Sequence, residues 1–403
     1  MLTKTHVSRA SRAILAVSIL FAFAGSRASA QWTLTILHPP ASQASVGLAV
    51  FGGHQAGWVG IPGEHAGYWS GSSSSFVDLH PPTNSYISMV NALDNEHQCG
   101  FVYFEGAFGV NSQAMLWSGT EASHVNLHPA GALTSTATAL YGNRQGGWSA
   151  PHNGPAHAGL WSGSAASWTD IHPAGWTNSS ISSMYGDQQG GSVRSGAGAH
   201  ACIWNGTAAS FVDLHPAGAS ASQVIALSGT HQYGNATFGG QDRAGVWSGT
   251  AASWVDLHPP GALSSSVRGA FGNNQVGRVV DGAGPYPCIW SGTAESCTNL
   301  GVFLPAGAYT GANANGIWAD LRFTYVVGEA FPVDPPPVGD PRQAIMWTRC
   351  NADVNGDAAL TSSDFFDFLT AFFTSAPAAD FNRDETITSQ DFFDFIAAFF
   401  AGC

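Results

Sequence analysis

From about residue 31 to residue 348, apolar residues fall in short runs of roughly four to six, separated by turns rich in glycine and asparagine. Runs of that length between turn residues predict β-strands rather than helices. One stretch shows the pattern: 224–227 is a first run, 233–238 a second, 244–248 a third and 254–257 a fourth. The turn between the first two, Gly229-Thr230-His231-Gln232, recurs as Gly52-Gly53-His54-Gln55, Gly142-Asn143-Arg144-Gln145, Gly186-Asp187-Gln188-Gln189 and Gly272-Asn273-Asn274-Gln275. Glycine and asparagine supply the positive φ that a tight hairpin needs.

The four runs form a unit that repeats. Its third run ends in Trp-Ser-Gly (once Trp-Asn-Gly), at Trp69, Trp117, Trp161, Trp204, Trp247 and Trp290. Its fourth ends in Leu-His-Pro or Ile-His-Pro, at His38, His80, His128, His172, His215 and His258. Successive tryptophans lie 48, 44, 43, 43 and 43 residues apart. Four strands repeated in the low forties is the pattern of a propeller blade. The ends carry a further clue. Residues 31–39 are a fourth strand with no first three before it, and the last unit, from about Tyr309 to Thr348, stops at its third. Pairing the two fragments completes a blade and removes exposed sheet edges. The expected fold is therefore all-β: a seven-bladed β-propeller over 31–348, closed by an N-terminal strand. The Pro-rich stretch 331–341 reads as a surface loop in the last blade. An open β-solenoid, the rival architecture, has no need of matching end fragments.

Composition agrees. Only 10% of residues are charged while Gly (49) and Trp (14) are abundant, which suits many short strands and tight turns. Residues 1–30 read as a secretory signal: Lys4, Arg9 and Arg12 precede an apolar segment too short to span a bilayer, and Ala28-Ser29-Ala30 fits the cleavage rule. The expected location is secreted or at the cell surface or envelope, with no transmembrane segment after cleavage. The mature chain would carry 9 basic and 26 acidic residues, a formal charge of −17. That balance excludes an electrostatic footprint for nucleic acid or anionic lipid, and leaves cations, neutral glycans and basic partners. None of the six cysteines has zinc spacing. Export permits disulfides. Cys288 and Cys297 flank one Trp-Ser-Gly turn and can bridge a hairpin, and Cys350 and Cys403 bracket the final segment and can tie its ends.

The repeated side chains are expected to serve structure. Seven-fold related histidines lie too far apart to share one ion at the ~2 Å Zn–N distance. Each also precedes proline at a blade crossover, where an imidazole can bond loop backbone. The tryptophans are expected to pack blade against blade. Asp78, Asp170, Asp213 and Asp256, with Asn126 as a substitute, read as strand-end hydrogen-bonders. Carboxylates outside the repeat are Glu64, Glu96, Glu105, Asp281, Asp320 and Glu329, and glycoside hydrolysis needs a pair about 5–10 Å apart. No Gly-x-Ser-x-Gly or His-Glu-x-x-His motif occurs, and no catalytic residue is assigned.

His65-Ala-Gly-Tyr-Trp69-Ser-Gly, Ala156-His157-Ala-Gly-Leu-Trp161-Ser-Gly and His200-Ala-Cys-Ile-Trp204-Asn-Gly resemble the extracellular HAF-type repeat, in which His-Ala-Phe-Leu-Trp precedes a glycine turn and a closing Asp-Leu-Gly. Here the close is usually Asp-Leu-His-Pro. The resemblance covers roughly 31–348 and implies an exported protein without specifying chemistry.

The pattern changes at Cys350. Asp353, Asn355, Asp357, Ala359 (through its carbonyl), Thr361 and Asp364 place oxygens at positions 1, 3, 5, 7, 9 and 12 of an EF-hand-type loop. Asp380, Asn382, Asp384, Thr386, Thr388 and Asp391 do so again 27 residues later. Such alternating donors wrap Ca²⁺ at about 2.3–2.6 Å, and two calcium sites are expected. Position 6, normally glycine, is Ala358 and Glu385. A left-handed backbone there costs a non-glycine residue about 1 kcal/mol, so affinity is expected to suffer, most at the second loop. A near-identical helix follows each loop, over 364–373 and 391–400. Phe365, Phe366, Phe368, Leu369, Phe372 and Phe373 share one side of the first, opposite Asp364, Asp367 and Thr370. Ten helix phenylalanines exceed what so small a core hides, and an exposed remainder is expected to be a docking surface.

The unit is bounded at 349–403, and over 350–403 it resembles a dockerin of the Gly-Cys-terminated planctomycete type. The resemblance implies a small all-α, EF-hand-type calcium module that binds a cohesin. It assigns partner contact to Ser362, Ser363, Ser389 and Gln390. The resulting expectation is a secreted, non-catalytic repeat protein that presents a propeller face to a glycan or protein. It would be anchored or assembled through the calcium-dependent module on a cohesin-like or envelope protein. The alternative is a carbohydrate-active propeller enzyme, hydrolase or lyase, carried on a dockerin. A third possibility is a structural envelope repeat with no ligand.

Overall fold

A computed structural model describes residues 32–82, 85–106, 109–196, 198–334 and 340–403. Residues 1–31, where the secretory signal is expected, and residues 335–339 of the Pro-rich stretch lie outside the described residues. The strands form seven four-stranded antiparallel sheets, each one blade. Six blades are built of consecutive strands, and the seventh has the order 33–36, 343–350, 323–332, 309–319. Thr33 pairs with Thr348, Leu34 with Trp347, Thr35 with Met346 and Ile36 with Ile345. The two end fragments thus complete one sheet, as expected for a seven-bladed propeller closed by its N-terminal strand. Two helices follow, α1 (Ser362–Phe373) and α2 (Ser389–Ala401). Among the described residues no helix is long and apolar enough to cross a membrane.

The fifth blade comprises Ala221–Ser228, His231–Phe238, Gln241–Trp247 and Val255–Asp256. Its outer strand is shorter than the apolar run 254–257 because Trp254 turns inward onto Trp247, ring centroids 4.5 Å apart. Gly245 makes the room: a Cβ there would lie 2.1 Å from the Trp254 ring. The seven repeat tryptophans, Trp347 included, are all buried.

Six of the seven blade junctions share one hydrogen-bond relay. A backbone N–H of the third strand in one blade donates to a serine in the first strand of the next, and that serine meets the crossover histidine. At one junction Ala244 N–H donates to Ser265 Oγ (2.9 Å), and His258 Nδ1 lies 2.8 Å from that oxygen. His258 Nε2 donates to Ala262 O at 3.0 Å, which leaves Nδ1 as the acceptor. Ser88 with His80, Ser135 with His128, Ser179 with His172 and Ser222 with His215 repeat the arrangement. Ser45 does so where the ring closes, taking Ala344 N–H and meeting His38. Each serine is buried, so each relay satisfies a donor that would otherwise be desolvated and unpaired. The junction without the relay lacks all three parts: Pro287, which has no N–H, stands where the donor would be, Leu300-Gly301 where Leu-His would be, and buried Ala312 where the serine would be.

Every inner strand shares a β-bulge at the same place in its blade, and three carry a further shift near their start. The register skips Leu48, Asn91, Thr138, Ser182, Ile225, Arg268 and Asn315. A bulge re-aims the extra side chain, and here all seven line a single cavity on the propeller axis.

Candidate functional site

The twelve-residue loops sit directly before α1 and α2, and their last carboxylate joins each loop to its helix. Thr361 and Asp364 form a capping box on α1, as do Thr388 and Asp391 on α2. Asp364 accepts from Thr361 N–H (2.8 Å) and Asn355 N–H (3.1 Å), so the helix start and the loop's third position hang on one buried carboxylate. Asp353 Oδ1 accepts from Gly356 N–H (2.8 Å) and Asp357 N–H (3.1 Å), and its Oδ2 from Ala358 N–H (3.0 Å). Oxygens of Asp353, Asp357 and Asp364, positions 1, 5 and 12, all lie within 4.8 Å of one another. Two oxygens bound to one Ca²⁺ at 2.3–2.6 Å can be separated by no more than about 5 Å, so this donor set fits the ion. Burial pushes the Asp353 carboxyl above its ordinary range, and Asp364 and Asp357 push the same way against the bonds from Ala358 and Gly356. A cation relieves that crowding.

The second loop repeats the backbone arrangement. Asp391 Oδ1 accepts from Phe381 N–H (2.8 Å) and Asn382 N–H (3.2 Å), its Oδ2 from Thr388 N–H (2.8 Å), and Asp380 from Asp384 and Glu385 N–H (both 3.1 Å). Asp384 differs from Asp357. It accepts from Thr386 Oγ1 at 2.6 Å and from Asn382 Nδ2 at 3.2 Å, which hold its carboxyl below the ordinary range. Among the described residues, only the first loop brings three carboxylates within 4.8 Å. Position 6 is left-handed in both loops, Ala358 at φ 67° and Glu385 at φ 69°. The second loop is left-handed at position 4 as well, at Arg383 (φ 62°), where the first has Gly356.

Those two strained residues hold the unit against the propeller. Glu385 accepts from Thr230 N–H (3.2 Å) and Thr230 Oγ1 (3.0 Å), and lies 3.4 Å from His231 Nδ1. Arg383 donates to Asp320 O (3.2 Å) and Thr324 Oγ1 (3.3 Å), and its stem lies over Gly272. Burial, with Arg349 nearby, brings the Arg383 guanidinium down to about 10. The contacted hairpins belong to the fifth, sixth and seventh blades. Arg322 of the seventh also donates to Gly402 O at 2.9 Å. Bonds between Cys350 and Cys403 and between Cys288 and Cys297 tie the unit's ends and the sixth-blade hairpin.

In the helices, Phe368 and Phe395 stack at 4.0 Å in the small core. Phe366, Phe373, Phe393 and Phe400 are 63%, 79%, 61% and 80% exposed, two equivalent positions on each helix. Asp364, placed opposite the phenylalanines by helical periodicity, is buried because it closes the loop. Ser362, Ser363, Ser389 and Gln390 lie exposed in the first turns of α1 and α2.

In the propeller, Asp78, Asp170, Asp213 and Asp256 each accept the N–H of the histidine two residues on. Of the outlying carboxylates, Asp281 and Asp320 cap hairpins, Glu105 takes the Tyr86 hydroxyl, and Glu329 is buried beside the axial cavity. One repeated residue had no role read from sequence. Gln55, Gln98, Gln145, Gln189, Gln232 and Gln275 each accept the N–H of the Trp-Ser-Gly glycine, locking two hairpins together. Its signal is an amide that ends the first hairpin turn of each of the first six blades, as Gly-x-x-Gln in five and as Asn95-Glu96-His97-Gln98 in the second.

No protein-family model matches the chain, and no curated protein matches it. Solved structures of like fold do. A prolyl endopeptidase aligns at 13% identity over 78% of this chain and 50% of its own, with a TM-score of 0.47. The propeller domain of the Trilobed protease from Pyrococcus furiosus, described as having an open velcro topology, aligns at 8% over 76% and 93%, with a TM-score of 0.49. An acylaminoacyl peptidase of Pyrococcus horikoshii aligns at 9% over 77% and 54%, with a TM-score of 0.48. The chain spans about half the length of the first and third. Likeness at this level shows a fold alone. One expectation is corrected: a propeller domain of a protease is among the chains of like fold, so the repeat architecture gives no ground for a non-catalytic protein.

Proposed function

We propose that the chain is an exported propeller protein whose dockerin-like C-terminal unit binds Ca²⁺ and docks on a protein partner, cohesin-like or of the envelope. The observation that carries the reading is the convergence of Asp353, Asp357 and Asp364 at positions 1, 5 and 12 of the first loop. Asn355, Ala359 through its carbonyl, and Thr361 would complete that shell, and Asp380, Asn382, Asp384, Thr386, Thr388 and Asp391 would form a weaker second. Bound calcium would neutralise the acidic loop and fix the start of α1. The exposed pairs Phe366 with Phe393 and Phe373 with Phe400 support a partner face of two-fold character, with Ser362, Ser363, Ser389 and Gln390 at its rim. The HAF-type repeat supports export. The test is capture from an envelope extract on the immobilised chain, with calcium and with chelator. A partner retained only with calcium, and lost on Phe373→Ser with Phe400→Ser, is expected. Identical capture in chelator overturns the reading.

A further inference from the structure

We propose that the axial cavity of the propeller binds a small hydroxylated carboxylate, anchored by Arg268. The seven bulge positions turn one side chain per blade toward the axis, and the surrounding repeat varies little while these residues do. Arg268 alone among them is charged. Its Nη1 donates to Asn315 Oδ1 at 2.8 Å and lies 3.9 Å from Glu329 Oε1. Glu329 is nearly enclosed, and its two oxygens already accept from the side-chain amides of Asn313 and Asn315. Its charge therefore holds the guanidinium in place, while each of its oxygens is engaged by an amide. Arg268 remains 38% exposed. A guanidinium has five N–H donors in a fixed fork, so donors remain for an oxyanion in the cavity.

The facing arc has the opposite chemistry. Asn91, Thr138 and Ser182 come from the second, third and fourth blades. Asn91 Nδ2 already donates to Ala137 O (2.9 Å) and Thr138 Oγ1 to Ile181 O (2.5 Å), each across a blade junction. Ser182 Oγ accepts from Gln223 Nε2 (3.2 Å) and keeps its O–H, so the arc offers oxygen lone pairs together with a few donors, a mixture that ligand hydroxyls, which both give and accept, can match. Leu48 and Ile225 separate the two arcs on either side. A ligand that matches has an oxyanion at one end, hydroxyls at the other and an apolar edge between. The cavity is about 180 Å³. An engineered cavity of about 150 Å³ accommodates benzene, so a single six-membered ring is the right size.

The probe is glucuronate, titrated calorimetrically into the full mature chain, with glucose, acetate and inorganic phosphate as comparators. One saturable site is expected, at least tenfold tighter for glucuronate than for any comparator. Arg268→Met should weaken it at least tenfold, and Ser182→Ala about threefold. Because Arg268→Met leaves Glu329 without its cation, Arg268→Met with Glu329→Gln is measured beside it, and its thermal melt shows that the ring is intact. Equal binding of glucose removes the anion anchor, and equal binding of phosphate removes the hydroxyl arc. Unchanged glucuronate affinity in a folded double variant, or no saturable binding at all, overturns the proposal.

Discussion

The molecule contains two internal repeats that distribute structure and chemistry in opposite ways. In the propeller the recurring residues are scaffold. Serine and histidine staple blade to blade, glutamine locks hairpins, tryptophan fills the space between sheets, and aspartate caps the outer strand. Individual chemistry sits where the repeat varies, at the bulge positions on the axis. In the C-terminal unit the side chains that recur at positions 1, 3, 5, 9 and 12 of the loops are candidate ligands. At two of the positions where the loops differ, 4 and 6, the second loop reaches out to the propeller. Recurrence alone therefore does not separate site from scaffold. Following each polar atom to its partner does, because a buried group with every bond satisfied has nothing left to offer a ligand.

Four changes test that contrast, in descending order of expected effect. Asp364→Ala removes the carboxylate that pairs two backbone N–H groups and closes the first loop. Unpaired buried donors cost about 1–3 kcal/mol each, so α1 should lose helicity by circular dichroism. Arg383→Ala with Glu385→Ala removes the side chains that reach the propeller while leaving the loop oxygens in place. Small-angle scattering should show the unit swinging away and the chain lengthening; an unchanged profile would mean that Arg322 and the chain connection suffice. Ser265→Ala breaks one junction relay and leaves Ala244 N–H unpaired, for about 1–3 kcal/mol in a denaturant melt. As the control for that change, Ala312→Ser, at the junction with neither the histidine nor the N–H donor, should gain nothing, and stabilisation there would show that the serine works alone. The smallest effect is that of pH. Burial lowers His38, His80, His128, His172 and His215 below the ordinary histidine value of 6.5. Groups lowered on folding favour the native state above the unfolded pKa, so stability should hold above pH 6.5 and decline as pH falls below it. Replacing His172 by Gln, which cannot take up a proton in that range, should flatten part of the slope.

Sequence made the architecture legible because its signals were redundant. Six tryptophans at near-constant spacing set the blade length, and a lone fourth strand at one end matched a missing fourth strand at the other. The convergence of Asp353, Asp357 and Asp364 was legible because the spacing of residues along one short loop is covalent. Less visible were features that look like irregularities in one dimension. Glu385 reads as a flaw at a position that prefers glycine and Arg383 carries no signal in the sequence at all; only the neighbouring hairpins explain why side chains are kept at those two left-handed positions. The bulge residues share no side-chain type, so no repeat analysis isolates them; the skipped register does. The histidines were read as loop hydrogen-bonders, but their serine partners, seven or eight residues on, were not paired with them, because the link runs through an adjacent blade.

Calorimetric titration of Ca²⁺ into the full chain, beside an Asp353→Ala variant, tests the calcium reading of the first loop most directly. A saturable site in the parent chain that disappears in the variant is the predicted result. No heat in the parent, or the same isotherm in both proteins, would contradict it.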